Sequence, residues 1–144
     1  MKVSELIGLR KEVYSMQEDK SVRDAALYLR EKQLRSVGVV NLSGEVVGVV
    51  SQSDVSNKIA AENMCPAWVK VSEIMSRELL TVTPSTTFEE CLRLMEHNSV
   101  FHLLILDEEK RYHGMLSVSD LLRVMATNEK ARADLLESYM FPPR

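Results

Sequence analysis

Two short stretches of the sequence repeat one pattern of hydroxyl and carboxylate side chains. Gly48–Asp54 and Gly114–Asp120 both read Gly, two apolar residues, Ser, any residue, Ser, Asp, at an offset of 66 (114 − 48). Each stretch leaves an apolar run and enters a helical pattern, which predicts a strand leading into a helix N-terminus. Backbone N–H groups, a hydroxyl and a carboxylate meet at such a point and together suit a sugar-phosphate. The sequence therefore predicts two sites of one kind.

The duplication extends beyond these two motifs. Lys2–Ile7 returns as Lys70–Met75 at an offset of 68 (70 − 2), after which the offset settles at 66. The first copy therefore carries two extra residues near Gly8–Glu12 (68 − 66). Matched motifs in one register indicate two copies of a single unit. We expect the copies at residues 1–62 and 70–127, with a linker at 63–69 and a C-terminal helix and tail at 128–144.

Each copy predicts the same order of elements: a short helical turn, a strand, a helix, two strands and a closing helix. Capping boxes that begin at Ser21 and Thr87 mark the longer helices. The middle strands, Ser36–Asn41 and His102–Asp107, contain continuous apolar runs, which are typical of burial on both faces. The other strands are predicted at Val13–Met16, Val46–Ser51, Leu80–Thr83 and Tyr112–Ser117.

A unit of roughly 60 residues buries little apolar surface by itself. We therefore expect an α/β (α+β) fold in which two three-stranded units with flanking helices pack with pseudo-two-fold symmetry. The two motifs would then face a shared cleft.

The bulk composition argues against several classes of protein. The 144 residues carry a net charge of −3, so no global basic field for a nucleic acid polymer is present. No apolar run approaches the roughly 20 residues of a membrane span, and the first residues have no apolar signal core. Cys65 and Cys91 have no metal or redox spacing. We expect a cytoplasmic protein with free thiols and no membrane partner.

The histidines and the motif serines give little support to metal binding or catalysis. The spacings of His97, His102 and His113 fit no metal motif, and no nucleophile is paired with a base in the sequence. We expect neither a metal site nor an enzyme. Ser-x-x-Asp is also a common capping box, which offers a purely structural alternative for Asp54 and Asp120. The two interpretations coexist, because a capped helix start also presents N–H groups to an anion.

The element order, ending in Gly, two apolar residues, Ser, any residue, Ser, Asp, resembles the CBS domain, named after cystathionine β-synthase. From Val3 to about Ala126 the chain resembles a tandem CBS pair. Such pairs commonly bind AMP, ADP, ATP, and sometimes S-adenosylmethionine or NAD, and they associate with one another. The resemblance implies a regulatory module with an adenosine nucleotide as regulatory ligand, no required cofactor, a homodimer and a separate regulated protein. The alternative is a structural dimerisation module with an unoccupied cleft.

The resemblance also implies roles for individual residues. Asp54 and Asp120 would accept the ribose hydroxyls, and the serine three residues earlier would face the phosphate. Residues that open the middle strand would reach the phosphate as well. In the family each site borrows from the first strand of the opposite copy, which pairs Thr81 with Asp54 and Ser15 with Asp120. The candidate ligand-binding set is Ser15, Arg35, Ser36, Val37, Val49, Ser51, Asp54, Thr81, His102, Met115, Ser117 and Asp120.

The two candidate sites differ where the middle strand opens. The second copy has His102 at this position, and the first copy has Ser36. An imidazole can carry positive charge toward a phosphate, and a serine cannot. We therefore expect the Asp120 site to bind its ligand more tightly than the Asp54 site.

Overall fold

A computed structural model describes residues 1–127 and 129–141 and contains the predicted order of elements twice. The strands Val46–Ser51 and Tyr112–Ser117 begin and end where the sequence predicts them. Between Gln52 and Ala60 the first closing helix changes from α to π geometry. The elements are α1 (Val3–Ile7), β1 (Ser15–Gln17), α2 (Val22–Glu31), β2 (Ser36–Val40), β3 (Val46–Ser51), α3 (Gln52–Val55), a π-helix (Ser56–Ala60), α4 (Val71–Ile74), β4 (Thr81–Val82), α5 (Phe88–Asn98), β5 (His102–Leu106), β6 (Tyr112–Ser117), α6 (Val118–Thr127) and α7 (Glu129–Met140).

The strands form two sheets of three strands each, in the orders β1-β2-β3 and β4-β5-β6. In both sheets the short first strand runs parallel to the middle strand, and the third strand runs antiparallel to it. The register repeats as well: Ser15 lies opposite Gly38 in the first sheet, and Thr81 lies opposite Leu104 in the second. Two mixed sheets with flanking helices confirm the predicted α/β fold class.

The duplication extends to the backbone conformation of individual residues. Gln33 and Ser99 have left-handed φ angles of 57° and 53°, and each lies just beyond the long helix of its copy. Gly44 (φ 82°) and Lys110 (φ 62°) have the same conformation in the two hairpin turns. Both pairs show the offset of 66 that separates the motifs (99 − 33, 110 − 44). Helix ends and tight hairpins both favour a left-handed residue, so the two copies preserve the conformation even where the residue is not glycine.

The chain divides into two compact units that differ from the two sequence copies. The Asp54 unit comprises Val13–Leu80, and the Asp120 unit comprises Met1–Glu12 together with Thr81–Arg144. Helix α1 therefore packs with elements from the second half of the sequence. The N–H group of Val3 donates to the carbonyl of Thr86 (2.9 Å), and the N–H group of Phe88 donates to the carbonyl of Met1 (2.9 Å).

Helix α4 makes the equivalent exchange into the Asp54 unit. The N–H group of Val71 donates to the carbonyl of Lys20 (2.8 Å), and the N–H group of Ser72 donates to that of Glu18 (3.0 Å). The side chain of Val71 is fully buried there. Each unit is thus completed by an opening helix taken from the other sequence copy.

Each unit has its own apolar core around the middle strand. In the Asp54 unit, Val37 and Val39 on β2 are at most 1% exposed. In the Asp120 unit, Leu103, Leu104 and Ile105 on β5 are equally buried. The predicted burial of the middle strands on both faces is confirmed. Full burial of such side chains contributes roughly 1.5–3 kcal/mol each, which anchors each middle strand in the core of its unit.

Candidate functional site

The Asp54 motif forms a closed capping box at the junction of β3 and α3. Ser51 Oγ accepts a hydrogen bond from the N–H group of Asp54 (3.1 Å). Asp54 Oδ2 accepts from the N–H group of Ser51 (2.9 Å) and from its hydroxyl (3.0 Å). Within the described part of the chain, Oδ1 of Asp54 accepts no hydrogen bond. The predicted cap is therefore confirmed, and one oxygen of the carboxylate is left for another donor.

The Asp120 motif builds the same box at the junction of β6 and α6. Ser117 Oγ accepts from the N–H group of Asp120 (3.1 Å), and Asp120 Oδ2 accepts from the N–H group of Ser117 (2.9 Å). The duplicated sequence motif is thus a duplicated local structure, with the serine ending a strand and the aspartate in the first turn of a helix.

Two arginines distinguish the Asp120 junction from its twin. Arg10 Nη2 donates to Asp120 Oδ2 (3.2 Å) and to the carbonyl oxygen of Met115, and its Nη1 donates to the carbonyl oxygen of His113 (3.1 Å). Arg123 Nη2 donates to the other carboxylate oxygen, Oδ1. The side chains of Arg10 and Asp120 are 20% and 16% exposed, so this contact is largely shielded from water.

Neither arginine was identified from the sequence, although each has a signal. Arg123 follows Asp120 by three positions, a spacing that places oppositely charged side chains together on a helix. Arg10 lies in the stretch Gly8–Glu12, where the first copy carries its two extra residues. Nothing local connects that stretch to Asp120, because the contact depends on the exchange of α1 between copies.

A buried hydroxyl lies beside the Asp54 junction. Ser36 opens β2 directly opposite Ser51 on β3, and opposed residues of an antiparallel pair share one face of the sheet. Ser36 is only 6% exposed, and its Oγ has no hydrogen-bond partner in the described residues. Buried hydroxyls are normally paired, so this one calls for a partner. His102 lies opposite Ser117 in the same way.

The chain that precedes each middle strand is tied to the helix start. The carbonyl of Arg35 accepts from the N–H group of Gln52 (2.9 Å), and the carbonyl of Phe101 accepts from that of Val118 (3.1 Å). These bonds fix the opening of the middle strand next to the motif. Each unit therefore brings together three predicted positions, namely Ser36, Ser51 and Asp54 in one and His102, Ser117 and Asp120 in the other.

The motif glycines are required for two different reasons. A Cβ atom on Gly48 would lie 2.9 Å from the carbonyl oxygen of Ser76 and 2.6 Å from the sulfur of Met75. Gly114 has a φ of 96°, which side chains other than hydrogen strongly disfavour. The same residue thus begins both motifs, once for close approach and once for backbone conformation.

The other candidate residues are distributed around the junctions. Val49 and Met115 are half-buried on the strands that carry the motifs, whereas Val37 is 1% exposed and belongs to the core. The side chain of Arg35 is exposed. The ligand-binding roles of these residues stay predictions.

Ser15 and Thr81 are exposed residues of the first strands. Ser15 belongs to the Asp54 unit and Thr81 to the Asp120 unit. Their predicted pairing with the motif of the opposite copy therefore stays a prediction.

A hydrogen-bonded pair, His113 and Asp107, stabilises the hairpin turn near the Asp120 junction. His113 Nε2 lies 2.9 Å from Asp107 Oδ2, and Arg111 Nε donates to the same oxygen (2.9 Å). The hydrogen bond with His113, together with the backbone N–H group of Arg111, holds the pKa of the Asp107 carboxyl well below its usual range. The carbonyl of His113 also accepts from Arg10, so this pair adjoins the arginine contact at Asp120.

Two negative findings concern the described residues. They hold no group of three or more His, Cys, Asp or Glu side chains that could bind a metal ion. Their helices include none with both the length and the apolar character needed to cross a bilayer.

Comparisons with known proteins identify both copies. The CBS domain family matches residues 3–61 and 71–127. An uncharacterised protein of Methanocaldococcus jannaschii is 28% identical over 116 residues, which are 81% of this chain and 37% of that protein. A homoserine O-acetyltransferase of Methanococcoides burtonii is 30% identical over 117 residues, 81% of this chain and 23% of that enzyme. The chain therefore spans well under half the length of these two relatives.

Solved structures share the fold. A putative signal-transduction protein with CBS domains from Burkholderia ambifaria has a TM-score of 0.82 at 24% identity, covering 90% of this chain and 96% of that one. A CBS domain protein from Pyrobaculum aerophilum, complexed with AMP, has a TM-score of 0.80 at 19% identity (94% and 98% covered). A CBS domain pair in complex with 5′-methylthioadenosine and S-adenosylmethionine has a TM-score of 0.76 at 19% identity (88% and 97% covered). The chain belongs to the CBS domain family, and it carries two CBS domains in tandem.

Proposed function

We propose that this protein is a regulatory module that binds an adenosine nucleotide, AMP, ADP or ATP, at its strand-to-helix junctions. The observation that carries the proposal is the Asp54 junction, where an uncommitted carboxylate oxygen lies at the same corner as the buried, unpaired hydroxyl of Ser36, both within the described residues. A hydroxyl-rich ligand with an anionic group suits both features. S-adenosylmethionine shares the adenosine part and is the second ligand to test.

The roles of the junction residues follow from their chemistry. The free oxygen of Asp54 can accept ribose hydroxyls, and charge-assisted hydrogen bonds of this kind are shorter and stronger than neutral ones. Ser36 Oγ can donate toward a phosphate oxygen, as can the N–H groups at the start of the helix. Neighbours of the same fold that hold AMP or S-adenosylmethionine support the adenosine class.

The output of such a module is a change in packing, without chemistry on the ligand. Binding can shift an equilibrium between two arrangements only by the difference in the ligand's affinity for them. We propose that the shift is read by a second copy of the chain in a homodimer and by a regulated protein of the cytoplasm. The enzyme name among the relatives belongs to a protein of which this chain spans 23%, so it does not assign a reaction to this chain.

A thermal-shift screen tests the proposal. A ligand at 100 times its Kd stabilises a protein by about 2.7 kcal/mol, which raises the Tm of a domain of this size by roughly 5–11 °C. We expect AMP, ADP, ATP or S-adenosylmethionine to reach that shift. We also expect Asp54→Ala to lower the shift, while Asp19→Ala, the same change at an exposed aspartate outside both motifs, leaves it intact. No shift with any adenosine compound would favour the structural dimerisation module.

A further inference from the structure

We infer that Arg10 is a latch that closes the Asp120 junction to the ribose of a nucleotide, so that the two junctions of this chain differ in affinity. The inference rests on the proposed function and concerns the regulation of the same sites. It assigns a role in ligand binding to the stretch between α1 and β1, which lies outside the Ser-x-Ser-Asp motif.

The hydrogen bonds at Asp120 leave little room for a diol. A carboxylate has about four lone-pair sites. At Asp120, Oδ2 accepts from the backbone of Ser117 and from Arg10, and Oδ1 accepts from Arg123. At the twin carboxylate of Asp54, the hydrogen bonds from described residues fall on Oδ2 and come from Ser51 alone. A ribose that presents two hydroxyls therefore finds Oδ1 free at Asp54. At Asp120 three of the roughly four acceptor sites are taken, one by Arg123 on Oδ1 and one by Arg10 on Oδ2, so the diol must displace an arginine.

The corresponding carbonyl in the Asp54 unit is bonded to backbone, so the contact that Arg10 makes has no counterpart there. Val49 and Ser76 form a backbone bridge, in which the N–H group of Ser76 donates to the carbonyl of Val49 (2.8 Å) and the reverse bond is 2.9 Å. Met115 corresponds to Val49 at the motif offset of 66 (115 − 49). Its carbonyl accepts from the guanidinium of Arg10. A side chain thus takes an acceptor that is satisfied by backbone in the twin, and the same side chain continues to the motif carboxylate.

The insertion explains how the latch reaches its target. The two extra residues of the first copy fall within Gly8–Glu12, the stretch that contains Arg10. Helix α1 is anchored in the Asp120 unit, since Val3 is fully buried and Leu6 is 7% exposed. The segment after α1 leaves from this anchor and carries Arg10 onto a carboxylate that is distant in the sequence.

A guanidinium suits a latch better than a lysine would. Its planar fork donates at once to two carbonyls and a carboxylate, and it keeps its charge throughout the accessible pH range. The contact is intramolecular, so its strength as a competitor of the ligand does not depend on the protein concentration. A latch that is closed about nine-tenths of the time lowers the apparent affinity of the junction about tenfold. The sequence alone ranks the Asp120 site first because of His102, and the latch reverses that ranking.

Calorimetry with AMP and ATP on single-junction variants tests the latch. In Asp54→Ala the Asp120 junction is the only intact one, and in Asp120→Ala the Asp54 junction is the only intact one. We expect Asp54→Ala/Arg10→Met to bind about tenfold more tightly than Asp54→Ala. Arg77→Met in the same background is the matched control, because Arg77 follows α4 and donates only to the carbonyl of Ser72 (3.3 Å) among the described residues. It should leave the affinity unchanged.

The outcomes separate the latch from the proposed function. If Asp120→Ala binds a nucleotide but Arg10→Met leaves the Asp120 junction unchanged or weaker, the latch is wrong and the proposed function stands. If none of the variants binds any adenosine compound, both are wrong. Thermal unfolding establishes that each variant is folded before titration. Arg10→Lys is the second test, because an ammonium keeps the charge but cannot make the three contacts together, and it should give an intermediate gain in affinity.

Discussion

At the scale of single residues, the two motif glycines are required for different reasons, and substitution of either one by alanine tests its reason. Gly114→Ala forces a methyl group into a left-handed conformation, and Gly48→Ala pushes one against the backbone of Ser76. We expect each to lower the free energy of unfolding by about 1–3 kcal/mol. Gly8→Ala is the control, because its nearest neighbour would lie 3.6 Å away, and it should change stability by less than about 0.5 kcal/mol. Urea unfolding measures all three, and an unaffected Gly114→Ala would contradict the positive φ.

The Asp107–His113 hydrogen bond makes a prediction about pH. The pKa of Asp107 is lowered in the folded chain, so its contribution to stability is present above the unfolded pKa of about 3.9 and is lost as the pH falls below that value. His113→Phe removes the largest cause of the shift, and we expect the Asp107 pKa to rise toward its ordinary value. Carboxyl titration by NMR measures it. His97→Phe is the matched control at an exposed histidine, and an Asp107 pKa that stays equally low in both variants would refute the assignment.

The two cysteines should differ in reactivity. Cys91 is fully buried, and burial, with Glu90 and Glu89 nearby, raises its pKa to about 12. Only the thiolate reacts readily, so Cys91 is protected both by its burial and by its raised pKa. Cys65, in contrast, is exposed. We expect iodoacetamide at neutral pH to label Cys65 promptly and Cys91 only as the Asp120 unit unfolds. Mass spectrometry of the labelled peptides measures this. Equal labelling rates under native conditions would show that Cys91 is not buried.

Individual residues also show where sequence reasoning stops. Ser51, Asp54, Ser117 and Asp120 could be placed because a strand end and a helix start each leave a local pattern. Arg10 could not, because its partners lie on a strand and a helix near the other end of the chain. A local pattern carries no information about which copy an opening segment will join.

At the scale of elements, the exchange of α1 and α4 can be tested by paired substitutions. Val3 and Val71 hold equivalent buried positions, one in the Asp120 unit and the other in the Asp54 unit. We expect Val3→Asp to destabilise the Asp120 unit, because an unpaired charge in a core is very costly. In a Cys65→Ser background, Val3→Asp should therefore accelerate labelling of Cys91 by at least about tenfold, and Val71→Asp should accelerate it far less. The reverse order would mean that each helix packs with its own sequence copy.

The elements were more predictable than their ends. The apolar runs predict both ends of β3 and β6 correctly. The capping side chains of Ser21 and Thr87 predict where α2 and α5 begin. The first strand was predicted at Val13–Met16 but begins at Ser15, and the side chain of Val13 is 47% exposed. A strand of three residues depends on its neighbour β2 for its limits, and that pairing cannot be seen in its own sequence.

At the scale of the whole molecule, we expect a homodimer formed through the outer surfaces of the long helices. Leu27 on α2 and Leu94 on α5 are large apolar residues that stay 38% and 36% exposed. Met95, also on α5, is 3% exposed and belongs to the core, so it does not contribute to this surface. Light scattering should give about twice the chain mass of 16.4 kDa. Leu94→Glu should weaken the dimer, and Leu42→Glu, at an exposed hairpin turn, is the control.

The exchanged helix gives the chain an unusual order of assembly on the ribosome. Val13–Leu80 is continuous in sequence, so the Asp54 unit can close as soon as its last residues emerge. Helix α1 is made before the Asp54 unit, but the residues that accept hydrogen bonds from its first turn, Pro84 and Thr86, are made after that unit. At roughly 5–20 residues per second, α1 waits several seconds with its apolar face uncovered. Helix α1 can therefore find its place only after the Asp54 unit has had time to close, and Arg10 can reach Asp120 only once that wait is over.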